Sequence, residues 1–401
     1  MEHIGRTDDA ALMPKAGPRW PRMGRRVARA FAATMLLALA ACGRPDGALL
    51  PVDVGSEPGS KVDLLAATTR APSDQPGVVF SGERGDTLAF TNIVVNIPPN
   101  REVGSIQWPQ RMPPDPARDF TVTRVDPLDK AGAFQWYRNL PGQRRRVLIF
   151  VHGFNTPFDA AVFRLAQFVH DTRADLVPVL FSWPSRGRAT EYIYDRESTN
   201  FSRSDLAYVL ATTAASPKVD EVVLLAHSMG AWLAMEALRD IALKQGRVPP
   251  KISNVVLASP DLDIDVFERQ MQELGQKRPQ FTIFVSQNDS ALGLSRFLAG
   301  SVQRVGAVDL SQPEYAARLE RARGITVLDL TALQGGDSLN HTKFATQPDI
   351  VRLIGDRMVA GQSVTDDGPP GAQAVQTVGG AVTNVVTAPI RIFTAGAASL
   401  R

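Results

Sequence analysis

The stretch Val222-Val223-Leu224-Leu225-Ala226-His227-Ser228-Met229-Gly230-Ala231 constrains this chain more than any other. Four apolar residues in a row read as a strand buried on both faces, as in a parallel sheet. Ala231 to Leu243 reads as a helix. Between them lies a five-residue turn with Ser228 at its centre. So sharp a strand-to-helix turn leaves room only for small residues two before and two after the serine, and Ala226 and Gly230 stand there. This is the form of a nucleophile elbow, which holds a serine hydroxyl above the end of a sheet. The helix start just beyond it offers free N–H groups and a dipole that favour an oxyanion.

Other apolar runs mark further strands: Val62–Ala67, Leu88–Ile97, Phe120–Val125, Val147–Val151, Val177–Phe181, Val255–Ala258, Phe281–Val285 and Ile325–Leu328. From Val147 onward helical patterns such as Pro157–Thr172 and Ser202–Ala214 separate them. That alternation predicts an α/β fold with a mostly parallel central sheet and helices on both faces. The earlier runs lack intervening helices and predict an antiparallel N-terminal edge. About 22 residues separate Ala258 from Phe281, room for a loop and one helix but not for a large cap domain. A helix is expected near Gln347–Val359.

The ends of the chain read differently. Seven basic residues and three acids fall in residues 1–41, so the overall net charge of +3 leaves about −1 for the rest. A polyanion such as nucleic acid is therefore not an expected partner. The Arg-rich start and the apolar run Ala30–Ala41 have the pattern of an export signal, too short for an ordinary membrane span. Met23 opens a more compact signal than Met1. Leu39-Ala40-Ala41-Cys42 resembles the lipobox of bacterial lipoproteins, whose cysteine is acylated, and Cys42 is the single cysteine. That resemblance implies a protein of the cell envelope. Gly43, in place of a retention-type Asp, points to the outer membrane, facing the periplasm. Residues 42–60, rich in Pro, Gly and Asp, read as a flexible tether reaching at most ~60 Å. Residues 361–401 read as a low-complexity, loosely attached tail. The folded domain is expected over 61–360.

A serine at its free pKa is a poor nucleophile and needs a base and a group to orient that base. With this type of elbow the order along the chain is Ser, acid, His, each on a loop at the C-terminal ends of the strands. His341, in the loop Gly335–Thr342, is the one histidine well downstream of Ser228. Counting strands points to Asp289 as the acid. The rival is the cluster Asp261, Asp263 and Asp265 one strand earlier, with Asp261 the alternative. Upstream, Val147–Val151 runs into His152-Gly153-Phe154-Asn155, where the backbone N–H of Phe154 would pair with that of Met229 as an oxyanion hole. His152 and His227 read as structural, and His170 as a surface residue. No metal-ligand spacing and no phosphate-binding glycine loop is present, so no cofactor is expected.

Several pieces together are similar to the α/β-hydrolase family of largely uncharacterised bacterial esterase/lipase-like proteins. They are Ala67-Thr68-Thr69-Arg70, Phe150 to Asn155, Phe181-Ser182-Trp183-Pro184-Ser185, Ala226 to Gly230, Ser259-Pro260-Asp261 and the loop bearing His341. The resemblance spans about Lys61 to Val359. It implies an α/β-hydrolase fold and a serine triad, but it chooses neither a substrate nor between Asp261 and Asp289. The expectation is a membrane-anchored serine hydrolase acting on a small-molecule or lipid ester. The competing expectation is a non-catalytic lipoprotein that keeps the fold as a binding or assembly module.

Overall fold

The structure is a computed structural model that describes residues 45–55, 59–140, 145–321, 324–333, 337–359, 383–387 and 390–394. The expected signal peptide over 1–41 and the expected acylation site Cys42 lie outside the described residues. The chain opens with three strands, β1 (Ser60–Pro72), β2 (Phe80–Ile97) and β3 (Thr121–Leu128), and then α1 (Lys130–Arg138). Strands and helices alternate next: β4 (Arg145–Val151), α2 (Phe158–Thr172), β5 (Val177–Ser182), α3 (Tyr192–Ala215), β6 (Val219–His227), α4 (Met229–Gln245), β7 (Ile252–Ala258), α5 (Ile264–Leu274) and β8 (Gln280–Val285). Helices α6 (Ser290–Leu298) and α7 (Pro313–Arg321) precede β9 (Ile325–Asp329). They are followed by α8 (Lys343–Thr346), α9 (Pro348–Val359), β10 (Thr383–Thr387) and β11 (Ile390–Thr394).

All the strands join one sheet in the order β10-β11-β9-β8-β7-β6-β4-β5-β1-β2-β3. From β9 to β1 every pairing is parallel. The β1–β2–β3 meander supplies the expected antiparallel edge, attached through the parallel pairing of β1 with β5. The apolar runs do not alternate with polar residues because both faces are covered. On β4 and β6, Ile149, Val151, Leu224 and Ala226 pack with Leu206 of α3 and Met235 of α4. Their neighbours Leu148, Phe150, Val223 and Leu225 pack on the other face with Phe163 of α2 and Ile350 of α9. Between β7 and β8 there is α5 with its connecting turns, and no cap domain.

Strand β4 has β5 on one side and β6 on the other. The chain therefore reverses its direction of travel across the sheet there. The crevice beyond such a switch point is where open α/β sheets bind their ligands. The loop after β4 carries Phe154 and the turn after β6 carries Ser228.

Two expectations about the ends need correction. Residues 45–54, read as part of a tether over 42–60, lie against the domain. Leu49 N donates to Gly77 O at 3.0 Å, Val52 N donates to Val122 O at 2.9 Å, and Ala48 and Leu49 are buried. Val54 is buried with them, and that burial outweighs the Pro and Gly around them. In the expected loose tail over 361–401, residues 383–387 and 390–394 are strands, with β11 antiparallel to β9. Val, Ile and Thr favour strands, and their pairing covers what would be an open sheet edge.

Because Leu49 is fully enclosed, Leu49→Ala is expected to destabilise the domain by about 2–4 kcal/mol in denaturant unfolding. An unchanged midpoint would return residues 45–54 to a free tether.

Candidate active site

Ser228 sits at the end of β6 with φ 54° and ψ −123°, a region a non-glycine residue enters only when its surroundings hold it there. Ser228 N donates to Ala258 O at 2.9 Å, and Ser228 O accepts from Ala231 N at 3.0 Å and Asp261 N at 3.1 Å. Two glycines let the neighbouring loop close on this turn. A Cβ on Gly230 would fall on His152 O, and one on Gly153 would lie 2.8 Å from His227 Nδ1 and 2.9 Å from Ser228 Cβ. The requirement for small residues read from the sequence is thus a requirement for two backbones to touch.

His341 and Asp289 are brought together. His341 Nδ1 lies 2.7 Å from Asp289 Oδ2, and the Asp289 side chain is fully buried. The other oxygen, Oδ1, accepts from Leu292 N at 3.0 Å and caps α6. One carboxylate therefore both starts a helix and faces the imidazole. Asp337 Oδ1 holds the His341 and Thr342 amides at 2.8 and 3.3 Å. Lys343 ties the two loops from beneath: its Nζ donates to Ser286 Oγ at 3.0 Å, Asn288 Oδ1 at 2.9 Å and Leu330 O at 3.1 Å. Burial lowers the pKa of this ammonium, with Asp289, Asp329 and Asp337 opposing the shift.

The His341 ring packs 4.6 Å from the ring of His227, the residue before Ser228. Burial, and then the neighbouring His341, push the pKa of His227 well below its ordinary value. The neutral ring turns its Nε2 to His341 O at 3.1 Å. His227 is thus a spacer between turn and loop, in keeping with its structural reading. Among the described residues no hydrogen bond joins Ser228 Oγ to His341. Such bonds are often long until substrate is present.

In the loop after β4, the amides of Asn155 and Thr156 are taken by Asp195 Oδ2 at 3.1 Å and Ser185 Oγ at 3.0 Å. Among the described residues the Phe154 and Met229 amides have no such partner. His152 braces the loop. Its Nδ1 bonds Gly153 O at 2.9 Å, its Nε2 faces Ser182 Oγ at 3.1 Å and Arg70 Nη2 at 3.3 Å, and its ring stacks on Trp183. Burial and then the Arg70 charge lower its pKa to about 3, so Nδ1 carries the one proton and Nε2 accepts from Arg70. Asp195, whose pKa is raised by burial, also accepts from Ser185 Oγ at 2.6 Å and Arg186 N at 3.2 Å. His170, expected at the surface, is half-buried and faces Asp171 at 2.9 Å.

The alternative acid Asp261 is engaged elsewhere. Its carboxylate accepts from Tyr192 Oη at 3.0 Å and from Ser295 Oγ, and lies 3.1 Å from Arg304 Nε. That last N–H is not aimed at the oxygen, so the contact is an ion pair without a hydrogen bond. Asp263 caps α5, accepting from the Asp265 and Val266 amides. Sequence reasoning did not single out Arg70, Ser185, Tyr192, Asp195 or Lys343 as site supports. Arg70 and Ser185 stand in motifs that carry the resemblance, but the partners of all five are set by which loops the fold brings together, which no local pattern shows.

Residues 133–357 match the family model described as alpha/beta hydrolase of unknown function (DUF900). The chain belongs to this family. Among solved structures it is similar to Est1E from Butyrivibrio proteoclasticus, with 11% identity and a TM-score of 0.35 over 55% of this chain and 90% of that one. It is also similar to ESTFA in its Fe-lacking apo form, with 10% identity and a TM-score of 0.33 over 83% and 91% of the two chains. Likenesses this distant carry no weight for the reaction. No curated protein matches the chain. Among the described residues no group of His, Cys, Asp and Glu could hold a metal ion, and no helix is long and apolar enough to cross a membrane.

The lowered pKa of His152 has a sign that can be tested. Between its ordinary 6.5 and about 3, the unfolded chain takes up a proton that the folded His152 refuses. Stability should therefore be full above 6.5 and fall as pH drops through that window. His227 acts in the same direction. Denaturant midpoints are expected to decline with falling pH, and less steeply in His152→Asn; equal slopes would contradict the buried neutral imidazole.

Proposed function

We propose that this α/β hydrolase is a serine hydrolase of carboxylic esters, held in the cell envelope by an acylated Cys42. Ser228 Oγ attacks the ester carbonyl while His341 Nε2 takes its proton. The Phe154 and Met229 amides donate to the oxyanion of the tetrahedral intermediate. Collapse expels the alcohol, which receives the proton from His341. Water then repeats the cycle on the acyl-enzyme and releases the acid. Asp289 keeps the His341 proton on Nδ1 and stabilises the imidazolium. The observation that carries this reading is the 2.7 Å pairing of His341 with Asp289, on loops cross-braced beside the Ser228 turn. The Phe154 and Met229 amides add to it, because donors with no acceptor among the described residues remain available when charge develops.

Ser228→Ala and His341→Ala are each expected to lower ester turnover roughly a thousandfold or more while leaving the fold intact. Ser228→Ala should also abolish labelling by a fluorophosphonate probe. An unlabelled wild-type protein would favour the binding-module reading instead. Asp289→Asn should cost less than loss of the nucleophile but more than Asp261→Asn. If Asp289→Asn keeps normal turnover and Asp261→Asn loses it, the two acids exchange roles.

For the anchor, Cys42→Ala should move the protein from the membrane fraction to a soluble or unprocessed form. Turnover of small soluble esters should hardly change. Wild-type protein found wholly soluble, with an unmodified N-terminus, would end this part of the proposal.

A further inference from the structure

Large apolar side chains gather on one face of the molecule. Phe297 is 75% exposed, Leu294 58% and Leu298 53%, all on α6, with Ile193 72% exposed at the start of α3 and Leu339 47% exposed in the loop of His341. Their segments are joined: Ser290 N at the start of α6 donates to Leu339 O at 3.0 Å, and Tyr192, next to Ile193, reaches Ser295 of α6 with its Oη at 3.0 Å. They also border the site, because α6 starts at Asp289 and the Phe154 ring packs 5.3 Å from Tyr192. Helix α6 has no acidic residue and one basic residue, Arg296, which is exposed. Exposed apolar side chains of this size on joined segments beside a site fit a partner that is itself apolar.

The start of the folded chain indicates which partner. Asp46 and Gly47 line one cavity with Pro157, Ser185 and Arg186, on the loops that follow β4 and β5. Pro45 therefore leaves the domain at the same end of the sheet as the site. Cys42 is three residues before Pro45, a span of at most ~10 Å. Acylation of Cys42, as proposed above, would put the lipid within that chain span of Pro45, and so nearer this end of the sheet than the opposite one.

We propose that the apolar rim formed by Ile193, Leu294, Phe297, Leu298 and Leu339 seats on a phospholipid bilayer. In that seat the site draws its substrate, a long-chain lipid ester, from the bilayer rather than from water. The substrate half rests on the esterase reading; the seating half rests on the exposed rim and on the proposed acylation of Cys42, close to where the chain enters the fold. Arg296 matches an anionic headgroup layer, and the apolar side chains enter the acyl boundary below it.

Anchored protein carrying Phe297→Cys, with Cys42 blocked by its acyl group and bimane on the one free thiol, tests the seating in vesicles of phosphatidylethanolamine and phosphatidylglycerol containing doxyl-labelled lipid. Leu243→Cys in the same background is the control. Leu243 is 62% exposed near the far end of α4, about 20 Å along the helix from Ser228. Quenching at position 297 is expected to exceed that at 243 by about fivefold or more. Equal quenching, or more at 243, overturns the seating.

The substrate half is read separately, with Ile193→Ser/Phe297→Ser in the anchored protein. Hydrolysis of a long-chain ester presented in vesicles should fall about tenfold, and that of a short soluble ester should change less than about twofold. Equal loss on both substrates, or none on either, overturns the lipid-ester assignment. A wild-type protein that hydrolyses neither ester removes the esterase reading, and the quenching result still decides the seating.

Discussion

The guanidinium of Arg70 is fully buried, and the loop opposite Ser228 depends on it. Its five N–H groups reach Ser182 Oγ, Ser81 O, Ser185 O, Thr156 O and His152 Nε2, at distances from 2.7 to 3.3 Å. Among the described residues no carboxylate touches it; Asp195 and then Asp159 act on it through space. Burial lowers its pKa to about 10, so the charge persists at neutral pH. A buried charge is costly unless every donor is matched, which makes this arrangement intolerant of small shifts. One cation thereby joins the ends of β1, β2 and β5 to the loop after β4. In that loop the Asn155 and Thr156 amides are taken by Asp195 and Ser185, while among the described residues the Phe154 amide has no partner.

The other half of the site has the same construction in different chemistry. Lys343 is a second buried cation matched by three neutral acceptors, and it joins the loop after β8 to the loop after β9. Asp289 and His341 meet above it. Both halves are therefore held by buried polar networks that fix the loops carrying the groups assigned to chemistry. Such a plan suits a reaction that develops charge, because the donors need not move when the charge appears. It also leaves the outer rim without structural duties, so that α6 and the start of α3 can present apolar side chains to a partner.

Asp289 illustrates why a sequence reading can name a residue and still leave its role open. Aspartates at strand ends commonly cap the following helix, and Asp289 does so through Oδ1. Its second oxygen faces His341, a partner 52 residues away. Asp263 stands in a similar sequence setting and caps a helix without facing a histidine. Asp261 supports the elbow through its backbone amide while its side chain serves Tyr192, Ser295 and Arg304. The three differ in which distant chain segment arrives beside them.

The strand runs, the elbow with its small flanking residues and the alternation that predicts a parallel sheet were legible in the sequence. Those features depend on local sterics and on the burial of neighbouring side chains, which a few consecutive residues decide. The packing of residues 45–54, the edge strands β10 and β11, and the supporting roles of Arg70, Tyr192, Asp195 and Lys343 came only with the tertiary structure. The match between a buried donor and its acceptor joins groups dozens of residues apart, and no local pattern encodes it. The same holds for the exposed rim: an amphipathic helix has an apolar face in any sequence, but whether that face is covered depends on what the fold places against it.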